Sequence, residues 1–522
     1  MNPSQFSPVE LCRSLAEGWS VENPDAPREL FTRLRRSWHA NMDREKSDVS
    51  TFRAVMELNQ VRLLGASELG CLVLGKGAAV EREVGEFWRQ QGGGGRLVMV
   101  LAATTALKEA AQRFAPADRC VFLGNGEIET LLTHPKPLEL LKDHLRRQIP
   151  LHRLLPYDTI HPAAPNMFFG RRDILNRFHQ EETTSFAIAG PGRIGKSSLL
   201  KQYRRELRWN LRDERRNRLF MIDCYPYGGF EPDKLAQRIA LDISADSEAN
   251  RVNAKTLLRF LKRHSSDGEQ PLELLFDEVD GVCRSEVMDE LAEAVRTGYC
   301  RVILCGKSRL FALMNQCERQ FAGRLERICP EPLDVESAAR LLMEPLADLG
   351  VVFQDAAAAL QTVFQLTARR PHLIQECART LFQFAQADKT SVVSAEHLQQ
   401  LREQFMETAY AMLPLEAMQD DLTRLLALLW LREGGGPVNV GSFQKLADKY
   451  GLALSAAKTL HICEDLWICN VLTRERGTLT LASPHLVEFV RKMDFNTEIA
   501  RLIQTASKPC APAADQPTHI YG

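Results

Sequence analysis

One eight-residue run, Gly190-Pro-Gly-Arg-Ile-Gly195-Lys196-Ser197, constrains this chain more than any other feature. It satisfies the spacing G-x-x-x-x-G-K-[ST], between an apolar run at 185–189 that reads as a strand and an amphipathic run from Lys196 that reads as a helix. Glycines 190, 192 and 195 let the backbone curl around an anion. Pro191, Arg193 and Ile194 complete the loop, whose N–H groups and positive helix end face that anion. Lys196 would neutralise the outer phosphates of a nucleotide, and the Ser197 hydroxyl would ligate Mg2+. Ser198 belongs to the same cradle.

Downstream, the apolar run 272–276 ends in Asp277-Glu278, which sets two carboxylates at the C-terminal tip of a buried strand, where ligands of such sheets bind. Asp277 is the candidate Mg2+ ligand, and Glu278 the candidate base for an attacking water. Asp280 reads as part of the following turn. The next strand, 302–305, runs into Gly306-Lys-Ser-Arg309, and Arg309 is the candidate γ-phosphate sensor because a guanidinium contacts phosphate bidentately. Arg324 and Arg327 are candidates to reach a neighbouring subunit's nucleotide, against an ordinary surface reading.

With 522 residues, several cores are required. Strand-like and helical runs alternate twice. Residues 6–58 read as helical, and 61–148 as a small, largely parallel α/β layer. Residues 156–165, with three prolines, read as a linker. Strands are expected at 186–189, 219–224, 272–277, 302–305 and 327–330, with helices between them. The period then becomes helical from 335, and from 421 a helix, turn, helix, turn, helix and two short strands suit a winged helix. The expected fold is thus multidomain α/β: an N-terminal α/β domain (1–155), a linker (156–165) and a doubly wound parallel P-loop core (166–334). A helical lid (335–417), a winged helix (418–492) and a tail (493–522) follow.

Composition narrows the partners. The 66 Lys+Arg against 67 Asp+Glu give no global field toward nucleic acid or membrane, and 13 cysteines without a Cys-x-x-Cys pair suit neither a disulfide framework nor structural zinc. No apolar run approaches the ~20 residues of a membrane span. A soluble cytoplasmic protein is expected.

Phe168-Phe-Gly170-Arg171, the P-loop, Phe276-Asp-Glu278, the Arg309 turn, Glu331-Pro-Leu333 and Ala368-Arg-Arg-Pro371-His-Leu-Ile-Gln375 together resemble a STAND-type, AAA-related signalling ATPase of the archaeal-ATPase-like branch, over residues 166–492. The resemblance implies ATP with Mg2+ and slow turnover. Gly170 and Arg171 would contact the adenine side, Pro371 would help read nucleotide state, and a winged helix would close over the site. Glycines are usual in that family where this chain has Ala368-Arg-Arg, and side chains there disfavour a tight turn.

Three functions follow as expectations. The first is a regulatory ATPase switch with an unidentified protein partner or trigger and nucleotide-dependent homo-oligomerisation. The second is a DNA-binding ATPase of origin-recognition or loader type, using the winged helix and the basic run Lys201–Arg218. The third is a nucleotide-locked scaffold with little turnover. The run Gly75-Lys-Gly77 lacks the third small residue of a dinucleotide fingerprint and reads as a turn. The N-terminal domain shows no Asp followed by Glu-x-Lys on adjoining strands, so no nuclease chemistry is legible there.

Overall fold

The structure is a computed structural model. It describes residues 7–506 except 18–24, 39–40, 48–50, 59–62, 65, 67, 92–96, 117, 210–213, 228–230, 266–270, 283–284, 308–309, 311–320, 322–324, 409–417, 419, 437–438, 453, 476–477, 484 and 493–494. The chain forms two units, each assembled from separated stretches: 1–169, 339–354 and 378–394 in the first, and 170–338, 355–377 and 395 onward in the second.

In the first unit, β1 (Asn41–Ser47) and β2 (Thr51–Glu57) pair antiparallel, and β2 pairs antiparallel with β3 (Glu68–Leu74). Parallel pairing then adds β4 (Leu97–Ala102) and β5 (Cys120–Leu123), in the order β1-β2-β3-β4-β5. The sheet is therefore mixed instead of largely parallel. Residues read as one helical stretch form the helices Pro8–Glu17 and Asp25–Trp38 and then the β1–β2 hairpin. The reason lies in β2, whose residues 51–56 are all buried, so no polar alternation betrays it as a strand. Its Arg53, which resembles the polar side of a helix, is inside and paired with Glu83 at 2.6 Å. Gly75-Lys-Gly77 is the turn between β3 and the helix Val80–Gln91. In the expected linker, Tyr157 is buried and donates its hydroxyl to Leu342 O at 3.1 Å.

The second unit is built on β6 (Ser185–Ala189), β7 (Leu219–Asp223), β8 (Leu272–Asp277), β9 (Cys300–Gly306) and β10 (Leu325–Ile328), all parallel in the order β10-β6-β9-β8-β7. Strands β6, β8 and β9 are buried at every position, as a sheet covered on both faces requires, whereas the edge strands β7 and β10 are not. β10 starts two residues before the expected 327–330, because its exposed Glu326 and Arg327 lie on an edge and mask the strand pattern. The helix expected at 310–317 falls, apart from Leu310, outside the described residues.

At the opposite end from the P-loop, Arg301 on β9 and Glu273 on β8 form a buried ion pair, 2% and 3% exposed. Tyr203 donates to the same carboxylate at 2.6 Å, and Arg301 also donates to Thr184 O and Phe178 O at 2.7 and 3.0 Å. Truncating one partner of such a pair strands the other charge. Arg301→Ala should cost about 3–5 kcal/mol, read as a lower urea midpoint; a loss under about 1 kcal/mol would show that the pair does not hold the base of this sheet.

Beyond the sheet, the chain is helical at Val335–Asp348, Ala356–Thr367, Pro371–Ala387 and Ala395–Thr408, with a two-residue parallel pair of β11 (Val352–Phe353) and β12 (Val392–Val393) that was not expected. Helices Asp421–Arg432, Val440–Lys449 and Ala456–Ile468 follow, then an antiparallel hairpin of β13 (Leu472–Glu475) and β14 (Thr478–Leu481). The stretch expected as a tail from 493 carries the helix Asn496–Ala506, because Phe495, Ile499 and Leu502 recur on one face and are buried. Among the described residues no helix is long and apolar enough to cross a membrane.

Candidate functional site

The P-loop spans the gap between the end of β6 and the helix Lys196–Trp209. Two residues adopt left-handed backbone there, Arg193 at φ 62° and Gly195 at φ 102°, and a Cβ added at Gly192 or Gly195 would meet nothing within 4 Å. The loop thus presents bare backbone to open space, beside the first N–H groups of a helix that lack partners within it. That is a cradle suited to an anion.

Lys196 is 6% exposed, and its Nζ donates to Gly190 O at 3.0 Å and Pro191 O at 2.9 Å. Burial pulls its ammonium below the usual lysine value, while Cys305, Glu278, Asp277 and Asp280 act in the opposite sense. Asp277, at the tip of β8, is buried and hydrogen-bonded to the Ser197 side chain, and burial raises its carboxyl above the usual range against the pull of Ser197 and Lys196. Glu278 follows in a left-handed conformation, φ 54° and ψ 47°, a cost for a residue with a side chain. Its carboxyl is also raised, first by burial, with Lys196 opposing. The structure therefore gathers Lys196, Ser197, Asp277 and Glu278 at one strand edge. A phosphate–Mg2+ group suits this set: a buried cation close to a carboxylate that is hydrogen-bonded to a hydroxyl, under an open backbone cradle.

Gly170 (φ 73°) and Arg171 (φ 64°) precede the helix Arg172–Gln180. A Cβ on Gly170 would lie 3.0 Å from Ser337 Oγ, so only glycine allows this approach without a shift. Arg171 Nη2 donates to Ile194 O of the P-loop at 3.1 Å, and burial lowers its guanidinium to about 10. It borders a cavity of about 560 Å³ lined also by Ile174, Arg327, Cys329, Glu331 and Asp334. Ser198 is buried in the first turn of the helix after the loop. Arg309 and Arg324 lie outside the described residues.

Pro371 opens its helix, and the turn before it is tight after all: Ala368 and Arg369 are both left-handed, at φ 47° and 57°. Bonds from Arg370 N–H to Thr367 O and from Leu333 N–H to Arg369 O hold that turn, so hydrogen bonding replaces the freedom of glycine. Arg370, 3% exposed, donates to Asn470 O at 2.6 Å and Cys469 O at 3.3 Å. His372 is hydrogen-bonded to the Arg193 backbone, and burial drives its imidazole down to about 3, so it is neutral. Sequence reasoning missed Arg370, Ile468 and Asn470, because a buried cation binding carbonyls about a hundred residues away leaves no local pattern.

Part of the basic run is engaged within the protein. Arg205 contacts Gln202, Arg215 pairs with Glu182, and Arg172 and His179 hold Glu206. On the helix Ala456–Ile468, Lys458 is bonded to Asp420, and His461 lies 3.8 Å from Glu464.

A strand–GxxxxGKS–helix unit on an all-parallel sheet, with acids at the tip of β8 two strands away across β9, is the arrangement of a P-loop nucleotide-binding module. Residues 179–314 match the AAA domain family. No curated protein matches the chain. Among solved structures it is similar to a Walker-type ATPase of Pyrococcus abyssi, at 16% identity over 64% of this chain and 99% of that chain, TM-score 0.47. It is also similar to the RuvB Holliday junction branch migration motor of Thermotoga maritima (16% identity, 60% and 92% coverage, TM-score 0.33). A third is the ORC1 protein of Aeropyrum pernix in complex with DNA (16%, 66% and 96%, TM-score 0.31).

Proposed function

We propose that the chain is a slow ATP-hydrolysing switch of the STAND type, whose nucleotide state decides whether its lid and winged helix stay closed on the P-loop. The observation that carries this reading is the end of the helix Ala456–Ile468. Ile468 joins the apolar cluster of the nucleotide core, and its carbonyl oxygen lies 4.0 Å from where a Cβ on Gly190 would stand. Arg370, at the start of a lid helix, binds the next two carbonyls, and its neighbour His372 binds the P-loop backbone. Two segments from beyond the sheet thus meet at the loop that would hold phosphate. A ligand can bias them only by contacting one arrangement better than another.

ATP with Mg2+ would supply the transferable phosphoryl group and the divalent charge. Lys196 and residues 190–195 would hold the phosphates, and Ser197 and Asp277 the metal. Glu278 would orient and deprotonate water, and Gly170 and Arg171 would line the base side. Pro371 would set the entry of the helix that carries the nucleotide-sensitive contacts. The order of three helices and a hairpin between 421 and 481 supports a winged helix. A DNA-reading role for it is not favoured, since Lys458 is tied to Asp420 and, on the exposed face of its third helix, His461 stands 3.8 Å from Glu464 beside the apolar Ala457 and Leu460.

The test pairs size exclusion under light scattering with amide exchange of residues 466–470, with ADP and then with a non-hydrolysable ATP analogue. Nucleotide-dependent exchange, with or without a change of mass, is expected; identical exchange and mass would overturn the switch. Arg370→Ala removes the charged hydrogen bonds to carbonyls 469 and 470, worth about 1.5–3 kcal/mol, and should raise exchange there on the order of tenfold. Unchanged protection would show that Arg370 does not fasten this helix end.

A further inference from the structure

We infer that Asp280 is a positioning residue for hydrolysis, its carboxylate tying the turn that leaves β9 to the turn that carries Glu278. This rests on the ATPase reading above, and it assigns a residue that the sequence marks only as part of a turn.

Both Asp280 carboxylate oxygens accept from the Lys307 backbone N–H, at 3.0 and 2.8 Å. The approach is so close that a Cβ added at Gly306 would stand 2.9 Å from Asp280 Oδ2 and 3.0 Å from Leu310 Cβ. Gly306 is thus the residue at which β9 can end against this carboxylate. The clamp acts on a strained neighbour. Glu278 is left-handed, and a side-chain-bearing residue stays in that conformation, at about 1–3 kcal/mol, only when its surroundings over-determine it. One restraint is Val279, which is fully buried in the core cluster of this sheet. A second is the 3.2 Å hydrogen bond from the Glu278 N–H to Asp277 Oδ1, and a third is Asp280, whose single helical turn, Val279–Gly281, starts at Glu278. With Asp280 removed, Glu278 loses one of these restraints, and the turn after β9 loses this tie to the turn after β8. Direct metal ligation by Asp280 is the weaker assignment, since both of its oxygens are turned to the Lys307 N–H.

Displacing a reacting group by about 1 Å costs up to ~100-fold in rate without altering how the rest of the site binds. The experiment compares the full-length parent with Asp280→Ala, Asp280→Asn, Gly306→Ala and the Asp280→Ala/Gly306→Ala double variant. Mg2+-dependent ATP hydrolysis is measured beside the affinity for N-methylanthraniloyl-ATP. Asp280→Ala should lower kcat on the order of 10–100-fold with affinity changed less than about threefold. Asp280→Asn keeps an oxygen that accepts from Lys307 and should restore most of kcat. Gly306→Ala should lower kcat in the parent and lower it by a smaller factor once Asp280 is gone, the remainder coming from Leu310 Cβ at 3.0 Å. Parental kcat in Asp280→Ala, an Asn variant as slow as the Ala variant, affinity falling in step with kcat, or losses that multiply in the double variant would each overturn the inference. A parent that neither binds nor hydrolyses ATP would instead overturn the ATPase reading itself, and this inference with it.

Discussion

Lys196→Ala is expected to lose nucleotide affinity by ~100-fold or more while the fold persists. Charged hydrogen bonds to phosphate contribute about 1.5–3 kcal/mol each, and the buried ammonium is the one cation among the described residues of the P-loop helix start. In the structure its own partners are two carbonyls of the same loop, Gly190 O and Pro191 O. Its removal therefore leaves the parallel sheet and its apolar faces untouched. Fluorescence titration with N-methylanthraniloyl-ATP, beside a thermal melt, separates the two effects. A variant that binds as tightly as the parent would show that the glycine loop is not the nucleotide site.

The second large effect divides the two acids. Glu278→Gln should keep ATP bound and lower turnover by ~10²–10⁴, because the amide preserves shape but cannot accept the water's proton. Asp277→Ala should act on the metal instead, so that affinity no longer responds to Mg2+. The division follows from position: Asp277 ends β8, buried and bonded to Ser197, whereas Glu278 turns out of the strand through its left-handed backbone. Hydrolysis persisting in Glu278→Gln, or one phenotype for both variants, would contradict it.

Much of the second unit was legible because its signals are local. Continuous apolar runs gave β6, β8 and β9, and glycine spacing gave the P-loop between strand and helix. The acids at 277 and 278 could be placed at a ligand edge because parallel strands carry their functional residues at their C-terminal tips. The hairpin of β1 and β2 escaped because burial on both faces removes alternation, and because Arg53 is neutralised by Glu83 from a distant helix. The turn at Ala368 and Arg369 escaped for a related reason: its left-handed backbone is held by hydrogen bonds to Thr367 and Leu333 and not by glycine. Arg370, Asn470 and the clamp of Asp280 on Lys307 are contacts between segments 27 or more residues apart, which no periodicity encodes.

The central claim is that nucleotide chemistry at the P-loop is coupled to the helix end docked on it. Amide exchange of residues 368–373 and 466–470, followed with bound nucleotide monitored in the same samples, tests it most directly. Protection should differ between ADP with Mg2+ and a non-hydrolysable ATP analogue with Mg2+, and the difference should vanish in Lys196→Ala. Equal protection in both states, with both nucleotides demonstrably bound, would contradict it.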